Sequence, residues 1–134
     1  MLRMTLRAAT LVVSLATGAT SAGAESDWIR VEGGWVPGPH VLREIRAGLQ
    51  PYVERQAHIQ RRKLRNWGQY TFQYQGREEK GHRYVFVNAL CHRDPSWNLE
   101  KRMVLVLDGG SCFFQLKFDP EQRRYYELII NGEA

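Results

Sequence analysis

The chain is poor in the residues from which reactive centres are built. Among its 134 residues are two cysteines and four histidines, His40, His58, His82 and His92. There is no Cys-x-x-Cys, and no two histidines are spaced to meet on one helix face, so no metal-ligand pattern and no cofactor are implied. A Gly-x-Ser-x-Gly elbow and a phosphate-binding glycine loop are also missing. Cys91 and His92 are adjacent, but neighbours on a strand point to opposite faces, which would turn the ring away from the sulfur. The carboxylates read as turn residues: Glu78-Glu79 in a polar turn, Asp94 before Pro95, and Asp108 ahead of two glycines. Together these absences argue against an enzyme. Long apolar runs are missing too, and the longest falls well short of the ~20 residues that span a bilayer.

That longest run stands at the start. Arg3 and Arg7 without an acid make a basic leader, Ala8 to Gly18 is uncharged and mostly apolar, and Ala22-Gly23-Ala24 places small residues where a signal peptidase needs them. Residues 1–24 are therefore expected to be an export signal cleaved after Ala24, and the product to be periplasmic or secreted. Cleavage would remove two of the 19 basic residues and none of the 14 acids, leaving a net charge of +3. So mild an excess does not call for a nucleic-acid partner. Residues 25–134 suffice for one domain with one core.

Within that domain a short extended piece near Trp28–Val31 leads into a glycine-rich loop. From Pro39, Leu42, Ile45, Leu49, Tyr52, Val53 and Ala57 recur at helical spacing, with Pro39 suited to the first turn. Gly48 and Pro51 weaken the pattern, which predicts a kink or a split near 48–51. After Trp67-Gly68 the period falls to two. Residues 69–75 alternate aromatic and polar side chains, 83–91 are rich in Val, Tyr and Phe, and 102–107, 112–118 and 125–130 read as further strands. The result is an α+β fold, an N-terminal helix packed on a mainly antiparallel sheet of about five strands.

Two cysteines in an exported chain favour a disulfide, Cys91 to Cys112, with a gain of roughly 3 kcal/mol. Read as a tight hairpin turn, Gly109-Gly110 would pair Leu107 with Cys112, Leu105 with Phe114 and Met103 with Leu116. Cys112 would then point into the core, against the helix.

Four segments, Tyr70-Thr-Phe-Gln-Tyr-Gln-Gly76, Val87-Asn-Ala-Leu-Cys91, Asp108-Gly-Gly-Ser-Cys-Phe-Phe114 and Asn131-Gly-Glu-Ala134, carry a resemblance to a group of small exported bacterial proteins of unassigned function. It covers roughly residues 40–134. More loosely, a helix followed by antiparallel strands resembles the cystatin layout, in which an N-terminal glycine, a first hairpin and a Pro-Trp hairpin form one wedge. That resemblance implies that Gly33-Gly34, the turn at 76–81 and Pro95-Ser96-Trp97 fill those places. The Gln-x-Val-x-Gly of the first hairpin is absent, and Ser96 separates the proline from the tryptophan.

Two surface features point to a protein partner. Arg55, His58, Arg61, Arg62, Lys63 and Arg65 gather at the helix end, where cations suit the helix dipole and an acidic partner could dock. Trp35 and Trp97 lie in loops, where tryptophans serve as binding anchors. The expectation is a small exported binding protein, of inhibitor or immunity type, acting by occlusion through loops 76–81 and 92–100 and through Arg61, Arg62 and Arg65. The alternatives are a ligand-binding or enzymatic domain, with a pocket between helix and sheet lined by Tyr70, Phe72, Tyr84, Phe86 and Asn88, and an envelope-assembly subunit that offers an exposed strand edge.

Overall fold

The computed structural model describes residues 10–14 and 27–133. Apart from 10–14, the segment read as an export signal lies outside the described residues. The described elements are β1 (Trp28–Arg30), α1 (Pro39–Ile59), β2 (Thr71–Glu79), β3 (His82–Leu90), β4 (Phe113–Asp119) and β5 (Arg124–Ile130). The five strands form one sheet in chain order, with β1 parallel to β2 and the other pairs antiparallel. One helix on a mostly antiparallel sheet is the expected α+β fold.

The helix buries Ile45, Leu49, Val53 and Ala57, one residue per turn, against the sheet. The sheet answers with alternate residues of β2, β3 and β4: Phe72 and Tyr74, with Tyr70 just ahead of them, then Val85, Val87 and Ala89, then Phe114, Leu116 and Phe118. Burying a side chain of this size stabilises by about 1.5–3 kcal/mol. Contrary to the predicted kink or split, α1 runs from Pro39 to Ile59 with Pro51 inside it. Proline removes the hydrogen bond to the carbonyl four residues back, here that of Ala47. Ala47 and Pro51 are both exposed, so water can satisfy the freed carbonyl.

The helix ends in a Schellman motif: Arg62 N–H reaches Ala57 O at 2.8 Å, and Arg61 N–H reaches His58 O at 3.1 Å. Arg61 takes the left-handed position, φ 55°, where glycine is usual. The turn throws the chain toward β5, where Gln60 Nε2 donates to Leu128 O at 3.3 Å and Arg62 Nη1 to Ile130 O at 3.3 Å. These carbonyls face away from β4, so the two side chains cover the outer edge of β5.

The largest correction concerns residues 102–107. They form no strand, because β4 is already paired on both sides, with β3 and with β5. Ala89 and Ile130 flank Phe114, and Val87 lies beside Leu116. The pairs expected from a hairpin at Gly109-Gly110 do not form. Instead, residues 92–109 leave β3, travel to the chain just past β1, where Glu32 N–H meets Glu100 O at 2.8 Å, and return across the face of the sheet opposite the helix. We call this segment the strap. Beneath it lies a second small core of Leu90, Cys112 and Phe113, joined by Trp97, Leu99 and Val106. Cys112 thus packs on the strap side rather than against the helix.

Candidate functional site

The strap is held by side-chain amides rather than by strand pairing. Gln73, Asn88 and Gln115 stand opposite one another on β2, β3 and β4. Gln73 and Asn88 are fully buried (both 0 % exposed), so their amides must find partners inside the protein. Gln73 Nε2 donates to Leu99 O (2.8 Å) and Arg102 O (2.7 Å), while Gln73 Oε1 accepts from Val104 N–H (2.9 Å). Asn88 Nδ2 donates to Gln73 Oε1 (3.0 Å) and Val104 O (2.7 Å), and Asn88 Oδ1 accepts from Gln115 Nε2 (3.3 Å). Farther along, Asn131 Nδ2 donates to Val106 O and to Asp108 O. Carbonyls of residues 102, 104, 106 and 108 thus face the protein, the two-residue repeat of an extended chain.

The disulfide closes this loop at its base. Cys91 and Cys112 are bonded, with their Cα atoms 4.9 Å apart, and Cys91 N–H also meets Cys112 O at 2.9 Å. Gln73, Asn88, Cys91, Cys112 and Asn131, far apart in the sequence, all fasten the strap.

With its backbone tied down, the strap presents Leu105 (56 % exposed) and Leu107 (98 % exposed) outward. Alternate residues of an extended segment share a side, so the two leucines face the same way. Trp97 is half-buried. It packs on the second core, meets the His92 ring edge-on at 5.9 Å, and forms one wall of a groove of about 380 Å³ with Ser96, Lys101 and Val104.

The other candidate residues divide. Trp35 is half-buried, not free: its Nε1–H donates to Arg77 O at 2.8 Å, and its ring lies on Gly76, where a Cβ would come within 2.7 Å of it. Arg62 is also committed to the fold, through Ile130 O and Asn131 O. Arg61 and Arg65 are exposed. Tyr70 and Phe72 face the helix, packed with Trp28, Trp67 and Phe114. Tyr84, Phe86 and Asn88 alternate with Val85 and Val87 and therefore lie on the other face. The five residues expected to line one pocket are split between two faces and do not share one. Phe86 is instead covered by Arg77, 4.1 Å from its ring centre, and Tyr84 by Lys117 at 5.0 Å.

The expected three-part wedge is not assembled. The β2–β3 turn falls at Lys80-Gly81, and Trp97 follows the far end of β3, a nine-residue strand about 30 Å long. For an added strand, the β5 edge is covered by Gln60 and Arg62, and β1 offers three residues.

Among the described residues no group of three or more His, Cys, Asp or Glu is placed to hold a metal ion, and no helix is long and apolar enough to cross a membrane. No protein-family model matches the chain, and comparison with the curated proteins and with the solved structures finds no match either.

Proposed function

We propose that this is an exported binding protein that acts by occluding a protein partner, with the strap as its contact element. The observation that carries the reading is Leu107, 98 % exposed on a segment whose neighbouring carbonyls are fixed by Asn131 and whose ends are joined by a disulfide. Exposed leucines on a mobile loop would lose entropy on binding; on a fastened strap that cost is largely met in folding. Two exposed leucines on one side of a fastened segment, outside both cores, support this reading. The disulfide and the amide bonds shape this surface without supplying a nucleophile, since a bonded sulfur is not a thiolate.

The test is affinity capture from envelope extract with the oxidised protein as bait. Leu105→Ser/Leu107→Ser and Trp97→Ala serve as comparison baits. A single stoichiometric protein held by the wild type and lost by the leucine variant supports the reading. Equal capture by wild type and leucine variant, or a small molecule as the sole companion, refutes it.

A further inference from the structure

Beside the leucine end of the strap lies a basic groove of about 420 Å³, formed where the chain turns back after α1. Its lining joins apolar Ala57 and Trp67 to His58, Arg62, Lys63 and Arg65, with one acid, Glu54, which accepts from Gln50 Nε2 at 2.8 Å. The Trp67 ring is fixed in place, 5.5 Å from Phe72 and 6.1 Å from Phe114. Asn131 links groove and strap: its main-chain oxygen accepts from Arg62, and its amide holds Val106 and Asp108 on either side of Leu107.

Positive charge is concentrated beside the groove. Ion pairs join Lys117 with Glu127 and Glu79, Arg123 with Glu44, and His82 with Asp119. Among the described residues, none of these ion pairs includes Arg55, Arg61, Arg62, Lys63 or Arg65. Arg62 bonds main-chain carbonyls, which leave its positive charge uncompensated. Five cations within eleven residues repel one another at a cost to the fold that a bound anion would relieve.

We infer that the groove receives an acidic peptide segment of the partner, with its carboxylates on Lys63 and Arg65 and its side-chain methylenes over Trp67. This rests on the binding-protein reading and names the chemistry of the partner. Guanidinium and ammonium groups at a groove wall suit carboxylates. The volume lies in the range of small concave sites, about 300–1,000 Å³. The adjoining leucines would meet an apolar neighbour of that acidic segment.

The probe is a fluorescein-labelled oligoglutamate peptide, followed by polarisation on the full oxidised protein, with phosphatidylglycerol vesicles as a second ligand. Lys63→Glu/Arg65→Glu is compared with Arg43→Glu/Lys80→Glu, which makes the same change in net charge away from the groove. The groove variant should lose about tenfold or more in affinity and the control much less, with binding that weakens as salt rises. Lys63→Arg/Arg65→Lys should keep most of the binding. Equal losses in both charge-reversed variants would reduce the effect to net charge and overturn the inference. So would an absence of peptide binding, or vesicle binding without peptide binding. Thermal melts of both variants exclude loss of fold as the cause. Peptide binding by the wild type, with normal capture by the leucine bait, would sink the strap reading alone; no peptide binding by the wild type, with the leucine effect intact, would sink the groove alone.

Discussion

Arg62 and Asn131 are joined by a hydrogen bond from the guanidinium of one to the main-chain oxygen of the other. Through it the helix end, the last strand and the strap meet at one residue, because the Asn131 amide also holds Val106 and Asp108. A basic run that reads as one surface feature is therefore mixed: Arg62 belongs to the fold, and its neighbours are exposed. Arg62→Ala should destabilise by about 1–3 kcal/mol, since it leaves carbonyls of Ile130 and Asn131 short of a donor. Arg65→Ala should fall within about 0.5 kcal/mol of wild type. Arg61→Gly should stabilise by roughly 0.5–1 kcal/mol, because Arg61 holds a positive φ. Urea titrations of the three variants check the order.

The buried amides make a second, sharper expectation. Gln73→Leu strands the Val104 N–H and the carbonyls of Leu99 and Arg102 under the strap, at a cost of about 2–4 kcal/mol. Asn88→Leu should cost a similar amount. Because both hold Val104 and each other, the double variant should lose clearly less than the sum. A double-mutant cycle by denaturant unfolding reads this directly; strict additivity would contradict the shared network.

Gly48 should respond against the usual rule. Alanine for glycine inside a helix ordinarily gains about 1 kcal/mol. Here a Cβ would stand 2.6 Å from Tyr125 Oη, which donates to Ile45 O at 2.7 Å. The Tyr125 ring is wedged between Tyr52 and Phe118, with centres 5.0 and 4.9 Å away, and cannot retreat. Gly48→Ala should therefore destabilise by about 1–3 kcal/mol. Adding Tyr125→Phe, which removes the clashing oxygen, should restore part of the loss in thermal melts.

Acid should weaken the β4–β5 turn through Asp119. The Gln122 N–H, with the His82 ring and the Glu121 N–H, holds this buried carboxyl below the ordinary carboxylate range. A pKa lower in the folded than in the unfolded chain lends stability that is complete above about pH 4 and is lost as pH falls through the lowered value. Asp119→Asn keeps an oxygen for the two turn amides but cannot ionise. Its stability should change less than that of the wild type between about pH 5 and pH 2.5; parallel pH profiles would contradict the assignment.

The helix, four of the strands and the cysteine pairing were legible because each follows from local periodicity or from a count. Residues 102–107 were not. Their apolar, β-branched run is that of a strand, and an extended chain is what they form, but its partners are amides of distant side chains. Gln73 and Asn88 did leave a signal: two amides standing amid hydrophobic neighbours on adjacent strands. The divided pocket was recoverable as well. A two-residue turn at Lys80-Gly81 sets Glu79 against His82, and counting back pairs Phe72 with Ala89, not with Tyr84 or Phe86. Pro51 misled because its cost depends on whether the freed carbonyl meets water, which the linear pattern does not contain.

The most direct test of the strap as contact element is the affinity of the captured partner for wild type and for Leu105→Ser/Leu107→Ser, measured by calorimetry on the oxidised proteins. The leucines stand outside both cores, so the variant should melt with the wild type and bind at least about tenfold more weakly. Unchanged affinity with an unchanged melt would contradict the account.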